Sequence, residues 1–318
     1  MSAAPAAASG GGPGLPRAAA ELPLTFCGLS LAHPIINASG TFDLLAAVEV
    51  FHGLFDPFPF AAFVSKTITL APRGGNPAPR LWEASAGLIN SIGLPNRGLA
   101  GYLQHDLPAL SALLGDVPLI TNVMGATGAE LAELVAALDV RPEVAAIELN
   151  VSCPNVRTGL DLGADPRELE HALTLVRPRT AKPLIVKLTP NAADVAGVAA
   201  AAEAAGADAV SLINTLRSMA LHPGAAPGTP WLGGGTGGLS GPAVRPVALA
   251  QVAAVAARVS IPVVGMGGVT RAQHAHELLQ VGATLVAVGT ESFRDPAAGA
   301  RIAASLHASP ANGGISAR

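Results

Sequence analysis

The residue with the clearest chemical potential is Cys153, in the run IELNVSCPN. It lies just past the apolar part of a predicted strand, where Pro154 prevents the sheet ladder from continuing. A thiol at such a strand end, flanked by Asn150 and Asn155, stands where a catalytic base or nucleophile would act on a planar polar ligand. A single Cys is more often an inert small apolar side chain. The residues at the other strand ends must therefore show whether Cys153 is catalytic or structural.

Length and composition limit the classes of protein that the chain can belong to. Its 318 residues, 50% hydrophobic and 13% charged, fit one large α/β barrel domain or two smaller domains. A net charge of -3 with scattered Lys and Arg argues against a nucleic-acid surface. Cys27 and Cys153 are the two cysteines, which predicts a reducing compartment and is too few for an iron–sulfur cluster.

The two ends of the chain differ in composition from the part between them. Residues 1–20 are rich in Ala, Gly and Pro and lack the charged and apolar regions of a signal peptide. We predict disordered tails at 1–20 and 309–318 and one domain at 21–308. No run of about 18 strongly apolar residues occurs, so we expect a cytoplasmic protein without a membrane segment. No metal site is predicted.

Short β-type runs alternate with Ala-rich helical patterns between these tails. The strand runs are short, rich in Val and Ile and not cleanly alternating, which is typical of buried parallel strands. They predict an α/β fold, a (β/α)8 TIM barrel, with an open doubly wound sheet as the alternative. The interval from Leu70 to Gly101 is Gly/Pro-rich and predicts an inserted active-site loop. The predicted strands are HPIINA, FVSKTI, PLITNV, AAIELNV, PLIVKL, AVSLIN, IPVVGM and TLVAVG.

Polar residues or glycines stand at the C-terminal end of every predicted strand, where barrels carry their catalytic and binding residues. One Lys there would be an ordinary surface residue. Two Lys with three Asn among them indicate a polar ligand with several amide-like edges. The strand ends are Ser39 and Gly40, Lys66 and Thr67, Asn122, Asn150 with Cys153, Lys187, Asn214 and Thr215, Gly267 and Gly268, and Gly289 and Thr290.

The last two strands end in GMGG and VGT, which match the barrel phosphate site formed by the loops after strands seven and eight. Glycines there let backbone N–H groups approach phosphate oxygens. The segment GTGGLSGPAVRP is a third glycine-rich loop, expected around the same ligand. The chain has no P-loop and no GxGxxG after its first strand, which disfavours a nucleoside triphosphate or a Rossmann-bound dinucleotide.

A phosphate combined with a planar polar ring indicates flavin mononucleotide (FMN) or pyridoxal phosphate. Pyridoxal phosphate needs a Schiff-base Lys and a partner for its ring nitrogen, and neither Lys66 nor Lys187 has a carboxylate beside it at its strand end. A reduced flavin needs a cation near N1 and the C2 carbonyl, which Lys187 can supply, with Asn122 and Asn150 at the ring edge. FMN is the predicted cofactor.

The chain resembles the dihydroorotate dehydrogenases of the soluble, cytosolic class from about Leu24 to Pro296. GTGGLSGPAVRP is similar to the subtype that passes electrons to NAD through a partner subunit carrying FAD and a [2Fe–2S] cluster. Pro95, in SIGLPN, is instead similar to the subtype that reduces fumarate. The resemblance therefore leaves NAD and fumarate as candidate electron acceptors, with NAD favoured. The motifs that carry the resemblance are NASGTF, SKTIT, NSIGLPNRG, ELNVSCPN, VKLTPN, LINT, GTGGLSGPAVRP, GMGG and VAVGT.

The resemblance implies a reaction and a set of ligand-binding residues. Cys153 would remove a proton from C5 of (S)-dihydroorotate while hydride passes from C6 to flavin N5, producing orotate for pyrimidine biosynthesis. The implied substrate residues are Lys66, Asn90, Ser91, Ile92, Gly93, Leu94, Asn150, Asn155, Asn214 and Thr215. The implied FMN residues are Ser39, Lys66, Thr67, Asn122, Asn150, Lys187, Ile213, Gly241, Gly267, Gly268, Gly289 and Thr290.

Other functions are compatible with the same motifs. Another FMN barrel, such as a dihydropyrimidine dehydrogenase flavin domain or a dihydrouridine synthase, is the nearest alternative. A non-redox phosphate-binding isomerase or lyase using Lys187, and an inert binding module, belong to other classes. We expect a homodimeric core and no nucleic-acid partner.

Overall fold

The computed structural model describes residues 24–51, 58–151 and 159–308. The predicted tails, 1–20 and 309–318, lie outside these ranges. Within them the strands are β1 (Leu24–Phe26), β2 (Leu29–Leu31), β3 (Ile35–Asn37), β4 (Phe63–Val64), β5 (Leu81–Ala84), β6 (Gly87–Asn90), β7 (Leu119–Val123), β8 (Ala146–Asn150), β9 (Leu184–Lys187), β10 (Ala209–Leu212), β11 (Leu216–Ser218), β12 (Gly237–Ser240), β13 (Val263–Met266) and β14 (Leu285–Val288). The helices are α1 (Leu44–Phe51), α2 (Gly98–Gly101), α3 (Leu107–Leu114), α4 (Gly128–Asp139), α5 (Gly159–Ala164), α6 (Pro166–Val176), α7 (Val195–Ala204), α8 (Arg245–Ala256), α9 (Ala272–Gln280) and α10 (Ala298–Ala308).

The eight predicted strands form one parallel sheet that is nearly closed into a barrel, in the order β3-β14-β13-β10-β9-β8-β7-β4. The two end strands meet through the buried Asn37 side chain. Its Nδ2 donates to the Val64 carbonyl at 2.8 Å, and its Oδ1 accepts from the Val64 N–H at 2.7 Å. The side chain thus takes the place of a backbone rung between β3 and β4. The predicted (β/α)8 barrel is confirmed, and an open doubly wound sheet is excluded.

Side-chain alternation along the strands separates the barrel interior from the helical layer. The lower interior is an apolar cluster that includes Ile120, Ala146 and Ile185. Two residues further along, the same face of β7, β8 and β9 carries Asn122, Glu148 and Lys187. The interior is therefore apolar at the N-terminal ends of the strands and polar at their C-terminal ends.

The hairpin β1–β2 closes the apolar end of the barrel. Phe26 and Leu31 are buried against the interior cluster. The turn between them contains Cys27 (φ 47°) and Gly28 (φ 81°), and Cys27 Sγ donates to the carbonyl of Asp208, just before β10. The hairpin thus covers the end of the barrel opposite to the cavity described below.

The outer helices form where the sequence supplies caps and apolar stripes. Asp165 caps α6 by accepting the N–H of Arg167, and Leu169 and Leu173 bury its inner face. Thr127 caps α4 in the same way. None of the helices within the described ranges is long and apolar enough to span a bilayer.

The interval from Leu70 to Gly101, predicted as an irregular loop, contains more regular structure. Its middle forms the hairpin β5–β6, and α2 begins at Gly98. The hairpin joins β12 and β11 in an antiparallel sheet of order β11-β12-β6-β5, here called the accessory sheet. Part of GTGGLSGPAVRP, also predicted as a loop, is β12. The two segments are joined by β6 and β12, which are far apart in sequence, with Asn90 opposite Gly238, whereas β5 and β6 pair as a local hairpin.

Candidate cofactor and substrate site

A cavity of about 940 Å³ lies at the C-terminal ends of the barrel strands. The accessory sheet forms one wall, with Leu81, Glu83 and Leu88 facing the cavity. The cavity is also lined by most of the residues predicted from the sequence. These are Ser39, Lys66, Thr67, Asn90, Ile92, Gly93, Leu94, Asn150, Lys187, Ile213, Asn214, Thr215, Gly241, Gly267, Gly268, Gly289 and Thr290.

Four predicted residues are not among those lining the cavity. Ser91 is buried, and its hydroxyl oxygen accepts a hydrogen bond from Asn76 Nδ2 at 3.0 Å, behind the cavity wall. Asn122 is buried within the barrel. Cys153 and Asn155 lie outside the described residues. Their roles stay predictions.

Lys187 is the most unusual charge in the site. Its side chain rises from the end of β9 on the interior face, is only 5% exposed and lines the cavity. No described residue forms a hydrogen bond or ion pair with its ammonium group. Burying an unpaired charge is costly. The cation therefore matches an electron-rich group on a ligand in the cavity.

Three buried polar side chains lie below the cavity. The carboxylate of Glu148 on β8 accepts from Asn122 Nδ2 at 2.5 Å and from Ser211 Oγ at 2.6 Å. Asn122 is on the neighbouring strand β7, and Ser211 lies two strands away on β10, beyond β9. Asn122 Oδ1 is buried and has no partner among the described residues. Buried acceptors such as Asn122 Oδ1 normally have a hydrogen-bond donor, so a donor from outside the described residues is expected here.

A hydrogen-bonded chain crosses the mouth of the barrel above this layer. Ser39 Oγ lies 3.5 Å from Thr67 Oγ1, which accepts from Asn150 Nδ2 at 3.3 Å. Asn150 Oδ1 accepts from Asn214 Nδ2 at 3.5 Å. The residues come from the ends of β3, β4, β8 and β10. The barrel thus brings together side chains up to 175 positions apart in sequence, from Ser39 to Asn214.

The glycines of the predicted phosphate loops differ in how strongly the protein constrains them. Gly267 and Gly268 have φ values of 135° and 68°, and a Cβ at either would lie under 3.0 Å from the side chain of Ala248 or Arg245. Gly289 differs, because a Cβ there would meet protein atoms only at an ordinary 3.6 Å. The protein itself leaves room at Gly289, and that position lines the cavity.

His274 lies behind these loops. Its Nδ1 is 3.2 Å from Thr270 Oγ1, and Thr270 itself lines the cavity. Burial, and then the nearby Arg245 guanidinium, lowers the pKa of His274 below its usual value. Arg245 also pairs with Glu277. The lowered pKa disfavours a charged imidazole behind the predicted phosphate loops.

The segment from Ile92 to Asn96 is held against the 69–80 loop. Asn96 Oδ1 accepts from the backbone N–H groups of Thr69 and Gly98, and its Nδ2 donates to the Leu94 carbonyl at 2.9 Å. Gly93 has φ 78°, and a Cβ there would lie 2.5 Å from the backbone N of Asn76. The predicted substrate residues of this segment are therefore placed by contacts with the neighbouring loop.

The described residues fit FMN. The unpaired Lys187 cation, the orphan acceptor of Asn122 and the open space at Gly289 are three features that the protein does not itself complete. They match, respectively, the electron-rich part of a flavin ring, a ring N–H and a phosphate. In the part of the chain that the structure describes, no three His, Cys, Asp or Glu side chains are grouped to hold a metal.

Sequence reasoning missed Glu148, Asn96 and the cavity-lining residues of β5. A signal for Glu148 was present, since it is a lone acid within the apolar run AAIELNV. Asn96 follows Pro95 in a segment where an Asn is also an ordinary turn residue. The β5 residues form the edge strand of the accessory sheet and pair with the adjacent β6, so their place on the cavity wall depends on the long-range pairing of β6 with β12.

Comparisons with known proteins agree with this site. Residues 21–309 match the family model described as dihydroorotate dehydrogenase. A protein of Geotalea daltonii named dihydroorotate dehydrogenase B (NAD(+)), catalytic subunit, is 43% identical over 93% of this chain and 95% of its own length. Proteins of the same name from Trichlorobacter lovleyi and Geobacter sulfurreducens are 45% and 43% identical, over 90% and 93% of this chain and 92% and 95% of their own lengths. This chain belongs to the dihydroorotate dehydrogenase family.

Proposed function

We propose that the chain is an FMN-dependent oxidoreductase that converts (S)-dihydroorotate to orotate in pyrimidine biosynthesis and hands the electrons to a partner subunit. Family membership supports the oxidation of dihydroorotate. The observation that carries the cofactor is Lys187, a buried cation that no described residue pairs. When bound, FMN would supply the two-electron acceptor that no amino-acid side chain provides.

The protein's own contribution to cofactor binding divides between two regions of the barrel. The loops after β13 and β14, with Gly267, Gly268 and Gly289, are suited to the phosphate. Lys187 on β9 and Asn122 on β7 are suited to the polar edge of the ring. Because β13 and β7 are separated by three strands in the sheet order, the two regions suit an extended ligand.

The substrate would be held above the ring by the amides at the strand ends. Asn150 and Asn214 are oriented by the hydrogen-bonded chain across the barrel mouth, and Asn90 Nδ2 donates to the Gly238 carbonyl at 3.2 Å. Lys66 lines the same cavity and suits a carboxylate. These residues would fix a planar carboxylated ring, which separates dihydroorotate from uncharged dihydropyrimidines.

Cys153 and Asn155 complete the proposal from the sequence. A thiolate can accept the proton lost from the substrate, and a free thiol with a pKa near 8.5 is only a few per cent ionised at neutral pH. Turnover should therefore rise with pH. Asn155 would add one hydrogen bond to the substrate.

The names of the relatives in Geotalea and Geobacter contain the words NAD(+) and catalytic subunit. This supports NAD as final acceptor, reached through a partner. We propose that the partner carries FAD and a [2Fe–2S] cluster, and that the core is a homodimer. Pro95 keeps fumarate as the second candidate acceptor.

The test is anaerobic reduction of the FMN-loaded protein by its substrate. Addition of (S)-dihydroorotate should bleach the yellow flavin and release orotate, whereas dihydrouracil, which lacks the carboxylate, should do so far more slowly. Bleaching by dihydrouracil at an equal rate would favour a dihydropyrimidine dehydrogenase. A chain that binds no FMN would refute the proposed function.

A further inference from the structure

We propose that Glu148 is a positioning residue for the cofactor: it orients the amide of Asn122 so that Oδ1 accepts a hydrogen bond from N3–H of the flavin ring. The inference rests on the FMN site proposed above and adds a residue that does not itself line the cavity.

The orientation of Asn122 follows from the chemistry of its neighbour. In the structure the amide nitrogen of Asn122, Nδ2, is the atom that donates to the Glu148 side chain. The contact is short, at 2.5 Å, and the second carboxylate oxygen is held by Ser211 Oγ at 2.6 Å. With both oxygens engaged, the carboxylate is fixed. Oδ1 of Asn122 must then point away from Glu148.

That oxygen lacks a protein partner. Asn122 is fully buried, and no described residue donates to Oδ1. A buried acceptor without a donor costs free energy that a ligand N–H can recover. Asn122 lies between β4 and β8, whose ends carry Lys66 and Asn150 on the cavity wall. Asn122 itself does not line the cavity, so the proposed contact places the edge of the flavin ring against the polar layer below it.

Among the groups of FMN, N3–H is the matching donor. The phosphate is expected at the loops after β13 and β14, and the polar side chains on β7 and β9 suit the pyrimidine edge of the ring better than its apolar dimethylbenzene edge. The pyrimidine edge carries one N–H, at N3, between two carbonyls. Lys187 on β9 suits the neighbouring carbonyl and N1. If the amide were reversed, Nδ2 would face N3–H and two donors would oppose each other.

A double-mutant cycle tests whether Glu148 acts through Asn122. FMN affinity is measured by fluorescence titration of the FMN-free protein for the wild type, Glu148→Met, Asn122→Ala and the double variant. Loss of one oriented hydrogen bond should weaken FMN binding by about tenfold in Glu148→Met. In the Asn122→Ala background, Glu148→Met should have no further effect. Equal losses in both backgrounds would show a merely structural role and overturn the proposal.

A spectroscopic measurement reports on N3 directly. With FMN labelled with ¹⁵N, the N3 proton of the wild type should be visible by NMR and protected from exchange with solvent. It should be lost or shifted in Glu148→Met and retained in Ser211→Ala, which leaves the Glu148 to Asn122 contact in place. An N3 proton that exchanges freely in the wild type, or one unchanged in Glu148→Met, would overturn the proposal.

Glu148→Gln is the second variant if Glu148→Met does not fold. The Gln carbonyl can still accept from Asn122 Nδ2, and its amide can donate to Ser211 Oγ, so the N3 resonance should stay as in the wild type. A Gln variant that binds FMN as weakly as Asn122→Ala would refute the orienting role. Wild-type protein that binds no FMN would refute the proposed function and this inference together. Normal dihydroorotate oxidation by Glu148→Met, with an N3 signal unchanged from the wild type, would refute the role of Glu148 and leave the proposed function standing.

Discussion

At the scale of single residues, the site contains groups that the apoprotein leaves unsatisfied. Lys187 is buried without a described partner, and Asn122 Oδ1 is a buried orphan acceptor. Such groups reduce the stability of the folded chain. Lys187 lines the cavity and Asn122 lies in the polar layer below it, so a ligand at the floor of the cavity would complete both.

The first prediction separates the stability and the binding roles of Lys187. Lys187→Met removes a buried, unpaired charge, so the FMN-free variant should be at least as stable to heat as the wild type. Its affinity for FMN should fall, and any bound flavin should be harder to reduce. Thermal unfolding with and without FMN measures both effects. Arg258→Met removes an exposed charge on the outer surface and serves as the control. Full FMN affinity with an unchanged reduction potential would exclude Lys187 from the site.

The second prediction contrasts the two cysteines. Cys153→Ser should retain FMN but lose turnover at neutral pH by about 10²-fold or more, because the proton acceptor is gone. Cys27→Ser should remain active, since Cys27 lies at the plugged end of the barrel. Burial, and then Asp208, raises the pKa of Cys27 to about 11.

Alkylation provides an independent measurement for the same pair. At pH 8 only about one Cys27 in a thousand is a thiolate, so iodoacetamide should inactivate the enzyme through Cys153 while Cys27 stays largely unmodified. Near-normal turnover of Cys153→Ala would show that Cys153 is not the base.

At the scale of elements, the barrel supplies fixed positions and the insertions shape the cavity above them. The accessory sheet is held by its own small core, in which the Trp82 and Trp231 rings lie 5.1 Å apart. Its strands come from the segments after β4 and after β10. The cavity wall therefore depends on both insertions, whereas the floor depends only on the barrel.

The third prediction tests the segment that follows the accessory hairpin. Gly93→Ala combines an unfavourable φ of 78° with a clash against Asn76, at a cost of about 1–3 kcal/mol, and should displace the 91–97 segment. The KM for dihydroorotate should rise by about tenfold, which is about 1.4 kcal/mol in binding free energy and lies within that range. The affinity for FMN should change little. Gly74→Ala is the matched control, because a Cβ there meets nothing within 4 Å. An unchanged KM in Gly93→Ala would contradict substrate binding by this segment.

At the scale of the whole molecule, the proposed function requires an acceptor outside this chain for the electrons that FMN would take from the substrate. With two cysteines and no second nucleotide fingerprint, the chain alone should not reduce NAD efficiently. The relatives named as catalytic subunits support the same expectation. The cytoplasmic location expected from the sequence stays a prediction.

The fourth prediction concerns the acceptor. The isolated chain with dihydroorotate should reduce artificial dyes but not NAD, and NAD reduction should appear when a subunit carrying FAD and [2Fe–2S] is added. Steady-state assays with each acceptor measure this. Rapid fumarate-dependent orotate formation by the isolated chain would reverse the preference for NAD, in line with Pro95. Rapid NAD reduction without a partner would refute the need for one.

The sequence by itself was sufficient for the barrel and for most of the residues around its mouth. Short Val- and Ile-rich strands ending in Lys66, Asn150 or Lys187 predict this arrangement, because parallel barrel strands bring all their C-terminal ends to one rim. The relative positions of these residues thus follow from strand order alone. The phosphate loops follow from the same rule.

Only the tertiary structure decided which polar groups lack a protein partner and what encloses the cavity. The contacts of Glu148 with Asn122 and Ser211 depend on strand register from β7 to β10, whereas the hydrogen bond that Ser91 accepts from Asn76 depends on how the 69–80 loop packs. The lack of a described partner for Lys187 is likewise a property of the folded chain. The accessory sheet pairs Asn90 with Gly238, far apart along the chain. Local patterns report the periodicity of one segment, whereas hydrogen-bond satisfaction and strand pairing belong to segments that meet only in the folded chain.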